Sequence, residues 1–212
     1  MFERVEIRVA DLAVSRALYA TVLATLPGTP VREDSDAVVW GDVVLQQATA
    51  ERPPTHGLHV GFAAPSPAHV DAFWEAGTRA GLRDDGVPGP RPQYRPDYYG
   101  GFLLDPDGNS IEAAFHGGVR GEGTVDHVWI RVADLAATRR WWAPMARRAG
   151  LRLRADTELL VRWGGERGGS VTLIAGDPPT RNAALVLPVP GAAAVGAGVD
   201  PDGTRVELVP AG

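Results

Sequence analysis

The sequence predicts an α+β fold built from tandem units of one strand, one helix and three further strands. The heptapeptide IRVADLA occurs at residues 7–13 and again at residues 130–136. The tetrapeptide DPDG occurs at residues 105–108 and 200–203, each time followed closely by an apolar residue and a glutamate. The order of strand and helix patterns also repeats along the chain. Together these repeats predict two related halves.

The first unit begins with a strand in which Val5, Ile7 and Val9 alternate with charged residues, the pattern of a strand with one buried face. Asp11 is a suitable N-cap for a helix that runs to about residue 26. Three short strands are predicted next, at residues 30–33, 37–40 and 43–47. The second unit repeats this order, with a strand at residues 58–64, a helix at residues 67–80, a strand region from residue 81, and a hairpin of residues 98–104 and 110–116. The DPDG segment suits a type I turn, and we expect its aspartates to face water.

Residues 118–123 are Gly-rich and polar, which predicts a linker between a domain of residues 1–117 and a second domain of residues 124–212. The third unit is predicted from a strand at residues 126–132, a helix at residues 137–149, and strands at residues 151–154, 159–163 and 170–175. In the fourth unit we predict only two strands, at residues 183–189 and 204–209. The interval between them is too short for a crossover helix, so the second domain is predicted to be truncated.

Composition limits the classes of function. The chain has 212 residues, of which 44% are hydrophobic and 22% charged, as in ordinary globular proteins. Its net charge of -5 argues against a nucleic-acid partner. The absence of cysteine excludes disulfides, thiolate metal sites and a cysteine nucleophile. With no signal-peptide pattern and no apolar run of about 18 residues, we expect a cytoplasmic protein without a membrane partner.

A tandem unit that opens with VEIRVADL at residues 5–12 and closes with LDPDGNSIE at residues 104–112 resembles the vicinal oxygen chelate superfamily. That superfamily includes glyoxalase I, extradiol dioxygenases, epimerases and bleomycin resistance proteins. The resemblance covers residues 1–117 and 124–176 and the final hairpin. It implies that paired units form cup-shaped mixed sheets. It also implies a divalent metal held by His or Glu on the first strand of each unit and by Glu on the closing strand. One scaffold of this kind hosts many chemistries.

Transferred to the first half, the implied ligand positions hold Arg4, His59 and Glu112. Strand alternation also turns Glu6 and Arg8 toward the cup. Because arginine cannot ligate a metal, we expect an eroded metal site in which Arg4 pairs with Glu112 or binds an anionic ligand. If a metal is retained, His59 and Glu112 are its expected ligands, with Glu112 acting as ligand or base.

In the second half, the matching ligand positions hold His127 and Glu207, while the position between them falls near the apolar Leu185. A further candidate region is the segment RPQYRPDYY at residues 91–99. There we expect Tyr94, Arg95 and Tyr98 to contact a ligand at the rim of the cup. The alternative is a rigid, proline-rich surface loop.

Three functions follow from this reading. The first is a glyoxalase/bleomycin resistance-like protein that binds a small organic molecule in the cup of its first domain without a cofactor. The second is a lyase, isomerase or ring-cleaving dioxygenase that depends on one divalent metal, Fe, Mn, Zn or Ni. The third is a non-catalytic interaction protein. In each case a homodimer is expected.

Overall fold

A computed structural model describes residues 1–26, 31–34, 36–117, 123–166, 168–191 and 195–211, and these contain three helices and fifteen strands. The helices are α1 (Leu12–Leu23), α2 (Pro67–Arg79) and α3 (Leu135–Arg148). The strands are β1 (Arg4–Val9), β2 (Val31–Glu33), β3 (Ala37–Trp40), β4 (Val43–Gln47), β5 (His59–Ala63), β6 (Arg83–Pro90), β7 (Tyr98–Leu104), β8 (Ser110–His116), β9 (Val125–Val132), β10 (Arg152–Asp156), β11 (Leu160–Gly164), β12 (Ser170–Ala175), β13 (Ala184–Val189), β14 (Gly196–Val199) and β15 (Arg205–Pro210). The predicted linker lies outside the described residues except for Gly123. None of the helices described is long and apolar enough to cross a membrane.

The strands form two mixed sheets, which confirms the predicted α+β class. The first sheet has seven strands in the order β14-β15-β13-β1-β4-β3-β2. The second has eight strands in the order β10-β11-β12-β9-β5-β8-β7-β6. At the centre of each sheet two first strands of units pair antiparallel, β1 with β13 and β5 with β9. Each of these four strands then pairs in parallel with the closing strand of its own unit.

The expectation that the first two units share a cup is wrong. The first unit shares its sheet with the fourth, and the second shares its sheet with the third. This pairing is non-local, so no pattern within a single unit specifies it. Each sheet takes strands from both sides of the predicted linker, and the division of the chain into two domains there stays a prediction.

The repeated motifs contact each other, which gives a physical reason for their recurrence. The Ala10 amide donates to the Asp107 carboxylate at 3.2 Å, and the Ala133 amide donates to Asp202 at 3.1 Å. The expectation that the turn aspartates face water is wrong for Asp105, Asp200 and Asp202, which are buried. Asp105, which is buried, accepts a hydrogen bond from the Tyr19 hydroxyl of α1 at 2.9 Å. These contacts join the helix side of one unit to the closing turn of the next.

Among the described residues, the fourth unit has no helix between β13 and β14, as predicted, although strand β14 was not foreseen. Two tryptophans of α3 fill this region. Trp142 is fully buried, stacks on Trp163 and donates its indole N–H to the buried Asp200 at 2.9 Å. The ring of Trp141 lies against Gly198 on β14. Aromatic side chains of the third unit therefore pack where a complete fourth unit would have its helix.

Candidate metal centre and its cavity

Three side chains converge in the cup of the second sheet: His59 on β5, Glu112 on β8 and His127 on β9. The His59 Nε2 lies 3.0 Å from Glu112 Oε2 and 3.1 Å from His127 Nε2. The distance from His127 Nε2 to Glu112 Oε2 is 3.2 Å. We call these three residues the metal triad. Glu112 and His127 are buried, and His59 is partly exposed toward the cavity.

The hydrogen bonds behind the triad fix which nitrogen of each histidine faces the centre. His127 Nδ1 lies 2.8 Å from the Asp126 carboxylate, so this nitrogen carries the proton that is donated. The Ser110 hydroxyl donates to Asp85 at 2.8 Å and therefore accepts from His59 Nδ1 at 3.1 Å. In the neutral state, both Nε2 lone pairs and the Glu112 carboxylate consequently face one point.

This donor set fits a divalent metal. Three lone pairs that face each other at such distances repel unless a cation or a proton lies among them. Ligands about 2.1 Å from a metal lie about 3.0 Å apart at adjacent octahedral positions and about 3.4 Å apart in a tetrahedron. The observed separations of 3.0–3.2 Å are nearer to the octahedral value. Two histidines and one carboxylate on one face form the arrangement typical of non-haem Fe(II) sites.

Each member of the triad is held by a further side chain, as is usual for metal ligands. Besides the contacts of the two histidines, the Tyr98 hydroxyl donates to Glu112 Oε1 at 2.8 Å. Asp126 is shared, because His116 Nε2 also lies 2.9 Å from its carboxylate. These contacts orient the donor atoms before any metal binds.

The electrostatics of the triad agree with a cation at its centre. Burial raises the pKa of the Glu112 carboxyl, but hydrogen bonds from His127 and His59 outweigh burial and lower it to about 2. Burial lowers the pKa of His127, but Asp126 and Glu112 outweigh burial and raise it to about 9. Burial and the neighbouring Glu112 raise the pKa of the Tyr98 hydroxyl, so it remains a hydrogen-bond donor. Without a metal, a proton on His127 takes the place of the cation.

The antiparallel pairing of β5 with β9 creates a local two-fold symmetry. This symmetry defines four equivalent strand positions around the site, here called corners, of which the triad occupies three. His59 and His127 are equivalent under this relation, because His59 pairs with Trp129 and His127 pairs with Gly61. Glu112 pairs with Gly61 on one side, and Thr172 pairs with Trp129 on the other. Thr172 therefore occupies the position that corresponds to Glu112. Three corners carry metal-ligating side chains and the fourth carries a hydroxyl.

The same relation in the first sheet places Arg4, Ala184, Glu207 and Val44 at the corresponding corners. The predicted pairing of Arg4 with Glu112 is wrong, since the two residues lie in different sheets. Arg4 instead contacts Glu6 at 3.1 Å, and Glu207 contacts Arg205 at 3.1 Å. Likewise His127 and Glu207 do not share a site. The four corners of the first sheet thus hold one ligand-type residue, Glu207.

Arg8 lies on the first sheet as well, outside the cavity of the triad. Its guanidinium donates to the Asn182 carbonyl at 2.6 Å and to the Pro53 carbonyl at 3.3 Å. Arg4, Glu6 and Arg8 were predicted to contact the same ligand as His59 and Glu112. The sheet pairing separates the two groups, so that prediction is wrong.

A cavity of about 640 Å³ opens onto the triad. Its aromatic lining includes Tyr94, Tyr98, Phe102 and Trp129, and its charged lining includes Arg91, Arg95, Arg131, Arg162 and Asp85. Tyr94, Arg95 and Tyr98, the residues of the segment 91–99 that were predicted to contact a ligand, therefore line this cavity. Tyr94 meets the edges of Tyr98 and Trp129, with ring centroids 5.3 Å and 6.0 Å apart. The volume suits a small organic molecule.

Comparisons with known proteins bear on the fold and on the family. No protein-family model matches the sequence, and the curated proteins gave no significant match. Glyoxalase I from Zea mays is 17% identical, with 99% of this chain and 92% of that chain covered and a TM-score of 0.64. A putative dioxygenase from Bacillus subtilis is 12% identical, with 100% and 86% covered and a TM-score of 0.63. At these sequence identities, the two matches show only that this chain shares the fold of those proteins.

A glyoxalase/bleomycin resistance protein from Albidiferax ferrireducens is closer in sequence. It is 33% identical over 54% of this chain and 98% of its own length, with a TM-score of 0.48. The chain belongs to the vicinal oxygen chelate superfamily. Within this superfamily fold, the corners of the first sheet hold one ligand-type residue, Glu207, and those of the second hold three.

Sequence reasoning missed Asp126, Trp129, Thr172 and Arg162 as cavity or supporting residues. Strand β9 carries a local signal for two of them, because Asp126 directly precedes His127 and Trp129 shares the face of His127. The roles of Thr172 and Arg162 depend on contacts with β9, which is distant from them in sequence. The sequence of a single strand does not contain the information that specifies these contacts between strands.

Proposed function

We propose that this protein is a divalent-metal-dependent enzyme of the vicinal oxygen chelate superfamily. His59, Glu112 and His127 would hold one metal ion, and a small organic molecule would bind in the adjoining cavity. The observation that carries the proposal is the set of three donor atoms 3.0–3.2 Å apart, each with a second partner. A set built in this way stabilises a cation at its centre.

The donor set favours one reaction class within the superfamily. With Thr172 at the fourth corner, three protein ligands leave further coordination positions open to a substrate. When bound, a metal of this kind supplies Lewis-acid chemistry, and Fe(II) in addition supplies the one-electron chemistry that oxygenation requires. Ring-cleaving dioxygenation of a compound with two adjacent oxygens is therefore our first candidate. A lyase or isomerase that uses the same triad is the second.

The protein's own residues have distinct roles in this proposal. Tyr98 holds the Glu112 carboxylate through Oε1 and leaves Oε2 directed at the centre. Asp126 fixes the tautomer of His127 through Nδ1 and is itself held by His116. Trp129 and Tyr94 give the cavity flat apolar walls that orient a planar substrate and displace water.

Metal-free binding of a small molecule remains a competing function, as does a non-catalytic role in protein interaction. An eroded metal site of the predicted kind requires Arg4 opposite Glu112, and His127 holds that place instead. The small-molecule ligand is kept in the present proposal, in the second sheet rather than in a cup of the first domain. The homodimer and the cytoplasmic location stay predictions.

Metal content tests the proposal. Protein purified, stripped and reloaded with Fe(II), Mn(II), Zn(II) or Ni(II) should hold about one equivalent per chain. Glu112→Ala should lose it, and the matched variant Glu207→Ala, at the same corner of the first sheet, should keep it. Oxygen uptake by the Fe(II)-loaded protein with a panel of catechols then tests the reaction class.

The outcomes are separable. Absence of metal under all four loading conditions would overturn the proposal and favour metal-free binding. Equal metal loss in Glu112→Ala and Glu207→Ala would show that the triad is not the site. One equivalent of metal without oxygen uptake would move the assignment to the lyase or isomerase candidate.

A further inference from the structure

Arg162 is a half-buried cation without an anionic partner in the described part of the chain. It lies on β11 and lines the cavity of the metal triad. Its Nε donates to Thr172 Oγ1 at 2.9 Å, and its guanidinium carbon lies 5.3 Å from the centre of the Trp129 ring. No acidic group described here lies within ion-pair distance, and burial lowers the pKa of Arg162. Its two terminal NH2 groups remain available as donors.

The other arginines of the cavity are in different situations. Arg95 forms two parallel hydrogen bonds to the Asp97 carboxylate, at 3.0 Å and 3.1 Å. Arg91 donates to the carbonyls of Val87 and Pro90. Arg131 is exposed, so water solvates its charge. Arg162 alone among these four is partly desolvated while its terminal donors have no acceptor in the described residues, and such a group is costly unless a ligand completes it.

The place of Arg162 connects it to the metal centre. Its hydrogen-bond acceptor, Thr172, is the fourth corner of the triad. Its stacking partner, Trp129, meets the His59 ring edge-on with centroids 6.2 Å apart. The guanidinium plane is therefore held from two sides beside the corner that has no protein ligand. A planar, fixed guanidinium is suited to bidentate contact with a carboxylate.

We propose that Arg162 binds a carboxylate of the substrate, so that the substrate is an aromatic carboxylate lying among Tyr94, Tyr98 and Trp129. This inference rests on the proposed function, in which two adjacent oxygens of the same substrate approach the metal triad. Arg162 thereby selects anionic substrates over neutral ones of the same ring structure. Thr172 acts as a positioning residue that keeps the guanidinium plane turned toward the ligand.

Binding measurements with matched probes test this assignment. Mn(II)-loaded protein is titrated under argon with catechol and with the two dihydroxybenzoates that carry adjacent hydroxyl groups. Wild-type protein should bind at least one dihydroxybenzoate about 10- to 100-fold more tightly than catechol. Arg162→Met, which keeps an apolar stem beside Trp129, should lose this preference and bind catechol and the dihydroxybenzoates with similar affinity. Arg152→Met is the matched control, because Arg152 is exposed on the neighbouring strand β10 and lies outside the cavity.

The outcomes separate this inference from the proposed function. Equal affinity of wild-type protein for catechol and the dihydroxybenzoates would overturn the inference while metal binding stands. A preference that survives in Arg162→Met would also overturn it. If no metal binds, the proposed function fails, and benzoate binding to the metal-free protein decides the role of Arg162. Tighter benzoate binding by wild-type protein than by Arg162→Met would support the carboxylate site, and equal binding would contradict it.

Discussion

Gly61 lies on β5 directly opposite His127, and its replacement by alanine tests the geometry of the metal triad. A Cβ at this position would lie 2.5 Å from Nδ1 and 2.7 Å from Nε2 of the His127 ring. Ordinary contact begins near 3.4 Å. The Cε1 atom of the ring would lie closer still, so the ring would have to move by more than 0.9 Å (3.4 minus 2.5), which separates Nε2 from Glu112 and Nδ1 from Asp126. Loss of a positioned ligand should weaken metal affinity by at least about 10- to 100-fold.

The assay is a titration of stripped protein with Mn(II), followed by thermal unfolding of the same samples. Gly61→Ala should also lose about 1–3 kcal/mol of stability, because extra volume is forced into a packed region. Gly77→Ala supplies the control. A Cβ at Gly77 would crowd Leu103 and would lie 3.0 Å from Val22, remote from the triad. It should lower stability and leave metal affinity intact. Wild-type metal affinity in Gly61→Ala would refute the placement of His127.

Three further predictions follow from the contacts around the site and the turns. Tyr98→Phe removes the donor to Glu112 Oε1 and should weaken metal binding by about 10- to 100-fold in the same titration. Because the pKa of His127 is raised to about 9, metal binding at pH 7 should release about one proton, and metal affinity should rise with pH up to about 9. Calorimetry in buffers of different ionisation enthalpy measures the number of protons released. An affinity independent of pH between 6 and 9 would contradict the assigned protonation. Tyr19→Phe leaves the buried Asp105 without one donor and should cost about 1–3 kcal/mol in urea unfolding, with metal content unchanged.

In the metal-free protein, the same pKa shifts set a pH window for stability. The pKa of His127 is raised from 6.5, so its contribution is complete below pH 6.5 and is lost as the pH rises through about 9. The pKa of Glu112 is lowered from 4.5, so its contribution is complete above pH 4.5 and is lost as the pH falls through about 2. The triad should therefore stabilise the metal-free fold most between pH 4.5 and 6.5.

Much of the fold was predictable because its signals are local. The IRVADLA and DPDG repeats gave the unit boundaries, and alternation in β1 correctly grouped Arg4, Glu6 and Arg8 on one face. The short interval before β15 predicted the missing helix. These features depend on residues close together in the chain, where periodicity and turn chemistry act directly.

The composition of the site was not predictable from the same signals. Glu112 faces His127 rather than Arg4 because the first strand of the second unit pairs with that of the third. Pairing of whole units depends on packing across the sheets, and each unit presents a similar edge. Arg4 and His127 stand at equivalent positions of the repeat, and they lie in the cup with one ligand-type residue and in the cup with three. Arg162 had no sequence signal, because its role depends on Thr172 and Trp129 in other strands.

Anomalous diffraction from crystals loaded with Mn(II) would locate the metal directly. We expect one peak per chain, about 2.0–2.3 Å from His59 Nε2, His127 Nε2 and a Glu112 oxygen. We expect no peak among Arg4, Ala184 and Glu207 in the first sheet. A peak in the first sheet, or no peak at the triad in fully loaded crystals, would contradict the proposed metal site.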